Sequence, residues 1–156
     1  MTFWKTAPLI AATLLAAACG EPNSGKTDVS LPAKTPEPTY ALETVSEPYG
    51  SADIDLGKRL FRGQCSGCHT LAEGDVAIVG PNLHGMFDRV VGSSEDYGFS
   101  NALQNASFEW TPEALDEWLA APEEFLPGNN MPMSGLTDAT DRANIVAYII
   151  VETSTK

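Results

Sequence analysis

The chain has 156 residues, with 21 carboxylates against 9 lysines and arginines and a formal charge of −12. That length supports one folded domain with room for a tail. So acidic a balance argues against nucleic acid or anionic lipid headgroups as direct partners. No Gly-rich phosphate loop, basic–aromatic patch or nucleophile–base pair is evident either.

In chain order, the thirteen-residue run Thr6–Ala18 is apolar and rich in alanine and leucine. It falls short of the about 17–25 residues a transmembrane helix needs. With small residues at its end, it reads as a secretory signal over residues 1–18. Leu15-Ala16-Ala17-Ala18-Cys19-Gly20 resembles the lipobox of bacterial lipoproteins, although Ala16 stands where leucine is more usual. That resemblance implies cleavage before Cys19, acylation of its thiol and a lipid anchor. Ordinary cleavage, leaving or removing a free Cys19, is the alternative. Residues 19–50 then carry prolines at 22, 32, 36, 38 and 48 among many Ser, Thr and Glu residues. Such a composition cannot bury enough surface to offset chain entropy, so it predicts a disordered tether or plain spacer. Thirty residues of coil would reach roughly 30 Å.

Residues 51–156 remain as the domain, with six basic residues (Lys58, Arg59, Arg62, Arg89, Arg142, Lys156) against sixteen carboxylates. A first helix is expected from Ser51 or Asp53 as cap, with Leu56, Leu60 and Phe61 on one stripe. Gly57 beside that stripe suggests close approach of another helix. A second is expected from Thr111 as cap with Pro112 at its first position, ending near Pro122. A third should run from Thr137 to about Glu152, with Ile145, Tyr148 and Ile149 on its apolar face. The long Gly-containing stretch between the first two helices needs something to wrap around. No strand with reliable alternation and no internal repeat is seen, which makes the expected fold all-α.

The first helix runs into Cys65-Ser66-Gly67-Cys68-His69, the spacing of a c-type haem attachment site. Residues three and four apart on a helical turn share a face. Both thiols can therefore reach the two vinyl groups on one porphyrin edge, with the imidazole beneath the ring. A CxxC pair alone would also suit thiol redox chemistry or half a zinc site. Zinc requires four N/S ligands, however, and the sequence adds only His84 and the distant Cys19. Haem iron would need a sixth ligand from Met86, Met131, Met133 or His84, or would have none from protein. Met131 and Met133 sit in Pro127-Gly128-Asn129-Asn130-Met131-Pro132-Met133, whose prolines and glycine restrict the backbone.

Several landmarks together resemble a class I cytochrome c, close to the mitochondrial and alphaproteobacterial type. They are Gly57-Lys58-Arg59-Leu60-Phe61, Cys65 to His69 and Gly80-Pro81-Asn82-Leu83-His84-Gly85-Met86-Phe87. Trp110, the Pro127–Met131 loop and a final helix with Arg142, Ala147 and Tyr148 complete the match. The resemblance implies a small all-α fold wrapped around one covalently bound haem c, its N- and C-terminal helices crossing. It implies thioethers at Cys65 and Cys68 and iron held between His69 and Met131. Pro81 would accept a hydrogen bond from the axial imidazole through its carbonyl. Arg89 and Trp110 would contact a haem propionate, with Trp110 as core alone the alternative, and Asn129, in place of a threonine, could donate to a propionate. Met133 would pack over the haem edge, Trp118 would stand where a tyrosine neighbours the methionine ligand, and Tyr97, Phe99 and Ser100 would pack near the propionates. His84 would be structural, its ring bonded to backbone. Mitochondrial members ring the haem edge with lysines; here those places hold Gln64, Glu123, Glu124, Asn130 and Asp138.

With both axial positions filled, the expected role is a one-electron carrier rather than an enzyme. The expected setting is the periplasmic side of a bacterial membrane, reached through the lipid anchor. A quinol-oxidising cytochrome complex would serve as donor and a terminal oxidase or reaction centre as acceptor, in a respiratory or photosynthetic chain. The alternatives are a fixed electron-entry subunit of an oxidase or dehydrogenase, and a peroxidase-like protein with a labile methionine ligand.

Overall fold

Asp53 caps the first helix by accepting a hydrogen bond from the Leu56 amide at 2.9 Å. In the computed structural model, which describes residues 40–154, this helix α1 spans Ile54–Gln64. The signal segment, Cys19 and the tether up to residue 39 lie outside the described residues. Four more helices follow: α2 (Asn101–Asn105), α3 (Pro112–Ala120), α4 (Pro122–Phe125) and α5 (Ala139–Thr153). Among the described residues there is no strand, and a lone bridge pairs Val90 with Glu109. None of the described helices is long and apolar enough to cross a membrane.

The core lies where α1 crosses α5. Ile145, Val146, Ala147 and Ile150 on α5 are fully enclosed, and the Phe61 ring packs against Tyr148 with centroids 5.6 Å apart. Gly57 sets the distance between the helices. A Cβ built there would lie 2.0 Å from the Asn144 carbonyl oxygen and 2.9 Å from the Tyr148 Cβ. The buried Asn144 also accepts from the Asp53 amide at 2.8 Å, tying the start of α1 to its partner. Arg142 of α5 makes a paired contact with Asp116 of α3 (3.1 and 3.2 Å) and donates to the Leu136 carbonyl at 2.8 Å. A forked guanidinium is suited to hold two helices and a loop together in this way.

Three features differ from expectation. The third helix begins two residues later than expected, because Asp138, not Thr137, accepts the amides of Thr140 and Asp141. The short helices α2 and α4 had no visible period; Ser100 caps the first of them rather than only packing. The packed part of the chain also starts before Ser51. Tyr40 meets Phe87 edge to face at 5.4 Å, and its carbonyl accepts from Ser154 at 2.8 Å. Tyr49 is buried and Ser46 donates to Glu113 at 3.0 Å. Residues 40–50 thus form a strap on the domain.

Candidate functional site: a cavity lined by His69 and Met131

The end of α1 delivers the cysteine motif. Cys65 closes the helix by donating its amide to the Phe61 carbonyl at 2.8 Å, and His69 donates its amide to the Cys65 carbonyl at 2.9 Å. This turn places Cys65, Cys68 and His69 on the wall of one cavity of about 310 Å3. Much of the remaining wall is apolar, including Phe61, Leu83, Leu103, Leu115, Leu119 and Ile149. Pro81, Arg89, Trp110, Trp118, Met131 and Met133 line it as well. One helix, two loops and the α3 face therefore converge on a single space.

The imidazole is fixed from behind. The Pro81 carbonyl can only accept, so His69 Nδ1 carries the proton and donates to it at 2.9 Å. Nε2 is then the nitrogen left for a metal. Gly80 backs onto the same ring, where an added Cβ would come within 2.5 Å of His69 Cε1. Burial lowers the His69 pKa, and the bond to Pro81 offsets that only in part. The ring is thus kept neutral, the form that binds metal.

The thioether side is ordered by a loop. Asn129 accepts from the Met131 amide at 2.9 Å and donates to the carbonyls of Pro122 (3.0 Å) and Leu126 (3.1 Å). Trp118 Nε1–H donates to Met131 Sδ at 3.2 Å. Trp118 in turn packs against Trp110 and Phe125 at 5.5 and 6.0 Å. The sulfur therefore has a defined position before any ligand is considered.

Burial, then the neighbouring Cys68, pushes the Cys65 thiol up to about 11. Redox-active CxxC pairs depend on a lowered thiol pKa, so this environment does not suit dithiol exchange. Among the described residues no group of three or more His, Cys, Asp or Glu side chains could hold a metal ion. The zinc alternative thus finds no further ligands among the described residues. A haem fits what is present: two thiols, an oriented imidazole, a thioether and an apolar wall sharing one cavity.

Two expectations need correction. Asn129 is not on the cavity wall; its amide nitrogen is committed to Pro122, Glu123 and Leu126, and its oxygen accepts from the Met131 amide. The backbone bond expected of the His84 ring is not found at its buried Nδ1, which has no hydrogen-bond partner among the described residues, while its amide donates to Asn82 at 2.6 Å. Arg89 lies on the wall with one of its five donors on the Asn82 carbonyl at 3.0 Å. Sequence reasoning assigned Tyr97 to packing alone, yet its hydroxyl also donates to the Val79 carbonyl at 2.9 Å. No sequence period signals such a long-range bond.

The fold and cavity define a class: a small all-α domain built around a covalently attached haem. A family model for cytochrome c matches residues 54–150. Cytochrome c2 of Agrobacterium tumefaciens (strain II Chrys) is 38% identical over 107 residues, covering 67% of this chain and 96% of that protein. Cytochrome c of Stellaria longipes is 36% identical over 101 residues, covering 65% and 94%. Cytochrome c of Arabidopsis thaliana is also 36% identical over 101 residues, covering 65% and 90%. The chain belongs to the cytochrome c family. It is accordingly a haem electron carrier with one covalently bound haem c.

Proposed function

We propose that this protein carries single electrons on the periplasmic side of a bacterial membrane, tethered there through an acylated Cys19. Cys65 and Cys68 would hold the haem as thioethers, and His69 and Met131 would bind its iron. When bound, the haem supplies a metal that changes charge by one. The residues around it keep that change simple. Pro81 holds the imidazole in one tautomer, and Trp118 and Asn129 hold the thioether. The apolar wall excludes water, which favours the reduced state. Arg89 and Trp110, both on the cavity wall, would partner a propionate. The observation that carries the reading is that His69 and Met131 share one cavity, each oriented by a hydrogen bond of its own.

The donor is read as a quinol-oxidising cytochrome complex and the acceptor as a terminal oxidase or reaction centre. Redox titration with visible spectra, followed by mass measurement, tests the assignment. A single one-electron wave, a far-red sulfur-to-iron absorption at neutral pH, and mass increments for one haem and for acyl chains are expected. Rapid carbon monoxide binding to the reduced protein would show that Met131 does not hold the sixth position.

A further inference from the structure

We infer that Val76, Ile78 and Val79 form the docking spot for a redox partner that presents an apolar centre rimmed by lysine and arginine. This rests on the carrier reading above and specifies where and with what chemistry the carrier engages.

Scattered exposed aliphatics need no explanation, but clustered ones do. Among the described residues the exposed large apolar side chains are Val76 (73%), Ile78 (49%), Val79 (62%) and Val90 (41%). Three of the four fall within four consecutive positions, and Val79 and Val90 also line the haem cavity. The cluster thus begins on the cavity wall and runs outward. A partner seated on it would lie next to the covalently bound edge, since the Gly80 amide donates to the Cys68 carbonyl at 2.8 Å.

The loop is held rigid. Asn82 Nδ2 donates to the carbonyls of Ala72 (2.9 Å) and Asp75 (2.8 Å). Thr70 donates to the Val76 carbonyl at 3.0 Å, and Tyr97 to that of Val79 at 2.9 Å. With these carbonyls engaged inward, the aliphatic side chains are what the loop offers outward. Little ordering entropy remains to be lost on contact.

Charge selects the partner. Glu73 and Asp75 are exposed on the same loop, and Glu95 and Asp96 precede the Tyr97 that is bonded to it. The exposed bases among the described residues, Lys58, Arg59 and Arg62, all lie on α1. Arg89 and Arg142 are only partly exposed and bonded within the fold. An apolar spot inside an acidic rim is complementary to an apolar spot inside a basic one. The same carboxylates disfavour an anionic bilayer surface.

Lysine-rich mitochondrial cytochrome c serves as the probe. Electron exchange between it and the haem-loaded protein is followed by stopped flow, and backbone shifts of the labelled protein are mapped by NMR. Shifts centred on residues 72–80 and exchange that slows with added salt are expected. The V76S/I78S variant should exchange roughly tenfold more slowly. The E73K/D75K variant should lose about as much, together with most of its salt dependence. Both should keep the wild-type midpoint potential and the wild-type visible spectrum. Shifts confined to α1, or an unchanged V76S/I78S rate, would overturn the assignment. So would a dimer at micromolar concentration, or binding to phosphatidylcholine vesicles, that this variant abolishes. Failure of the carrier reading looks different: the wild-type protein would not exchange electrons with hexacyanoferrate either.

Discussion

Trp118 shows what one donor can do at the residue scale. An indole N–H can donate but not accept, so its 3.2 Å contact with Met131 Sδ can run only one way. With Met131 on the iron as proposed, drawing density from its thioether would disfavour the more positive metal and raise the reduction potential. Trp118→Phe keeps a packed ring and removes the donor. The potential should fall by roughly 40 mV, the one-electron equivalent of a hydrogen bond worth about 1 kcal/mol. Spectroelectrochemical titration of the two proteins checks this. An unchanged potential would reduce the contact to packing.

At the element scale, the α1–α5 crossing depends on a missing side chain. Gly57→Ala would push a Cβ into the backbone of Asn144, which has no rotamer to retreat to. The helix gains about 1 kcal/mol of propensity from alanine, but the overlap outweighs it. We expect a net loss of about 2–3 kcal/mol, seen as a drop in thermal midpoint of about 10 °C. The start of α3 carries a pH effect. Glu113 is held below the usual glutamate range mainly by a hydrogen bond from its own amide, and also by Ser46 and Thr111. Its folded pKa is depressed, so its contribution is complete above the unfolded value and is lost as pH falls through the folded one. Glu113→Gln should therefore be less stable than wild type at pH 7. The gap should close below about pH 4, as urea titrations across that range would show. The group is exposed, so the gap is small.

At the scale of the whole molecule, the strap of residues 40–50 decides where the domain ends. Tyr49 is buried and Tyr40 packs on Phe87, so the strap adds to the core opposite α5 and α3. Tyr49→Ala should cost about 3 kcal/mol in guanidinium unfolding, by analogy with other buried aromatics. Neither Tyr40 nor Tyr49 lines the cavity, so the visible spectrum of the haem-loaded variant should match wild type. A shifted spectrum would show that the strap supports the site as well as the fold.

Much of the site was legible in the sequence because its chemistry is local. Two thiols and an imidazole on consecutive turns need no tertiary information to share a face, and Thr111-Pro112 announces a helix start wherever it lies. Gly57 announced a close approach for the same reason. Asn129 and Tyr97 were not legible, since an amide or a phenol reveals nothing of its partner until distant segments meet. The strap was hidden too: its composition is that of a tether, and only contact with Phe87 and α3 supplies the burial that offsets its entropy. By itself, then, the sequence determined the haem motif, the all-α class and the acidic surface, all properties of neighbouring residues and composition. Only the tertiary structure decided which sulfur Trp118 meets, which carbonyls hold the 72–80 loop, and which aliphatic side chains are left facing solvent. Those depend on distances between segments far apart in the chain.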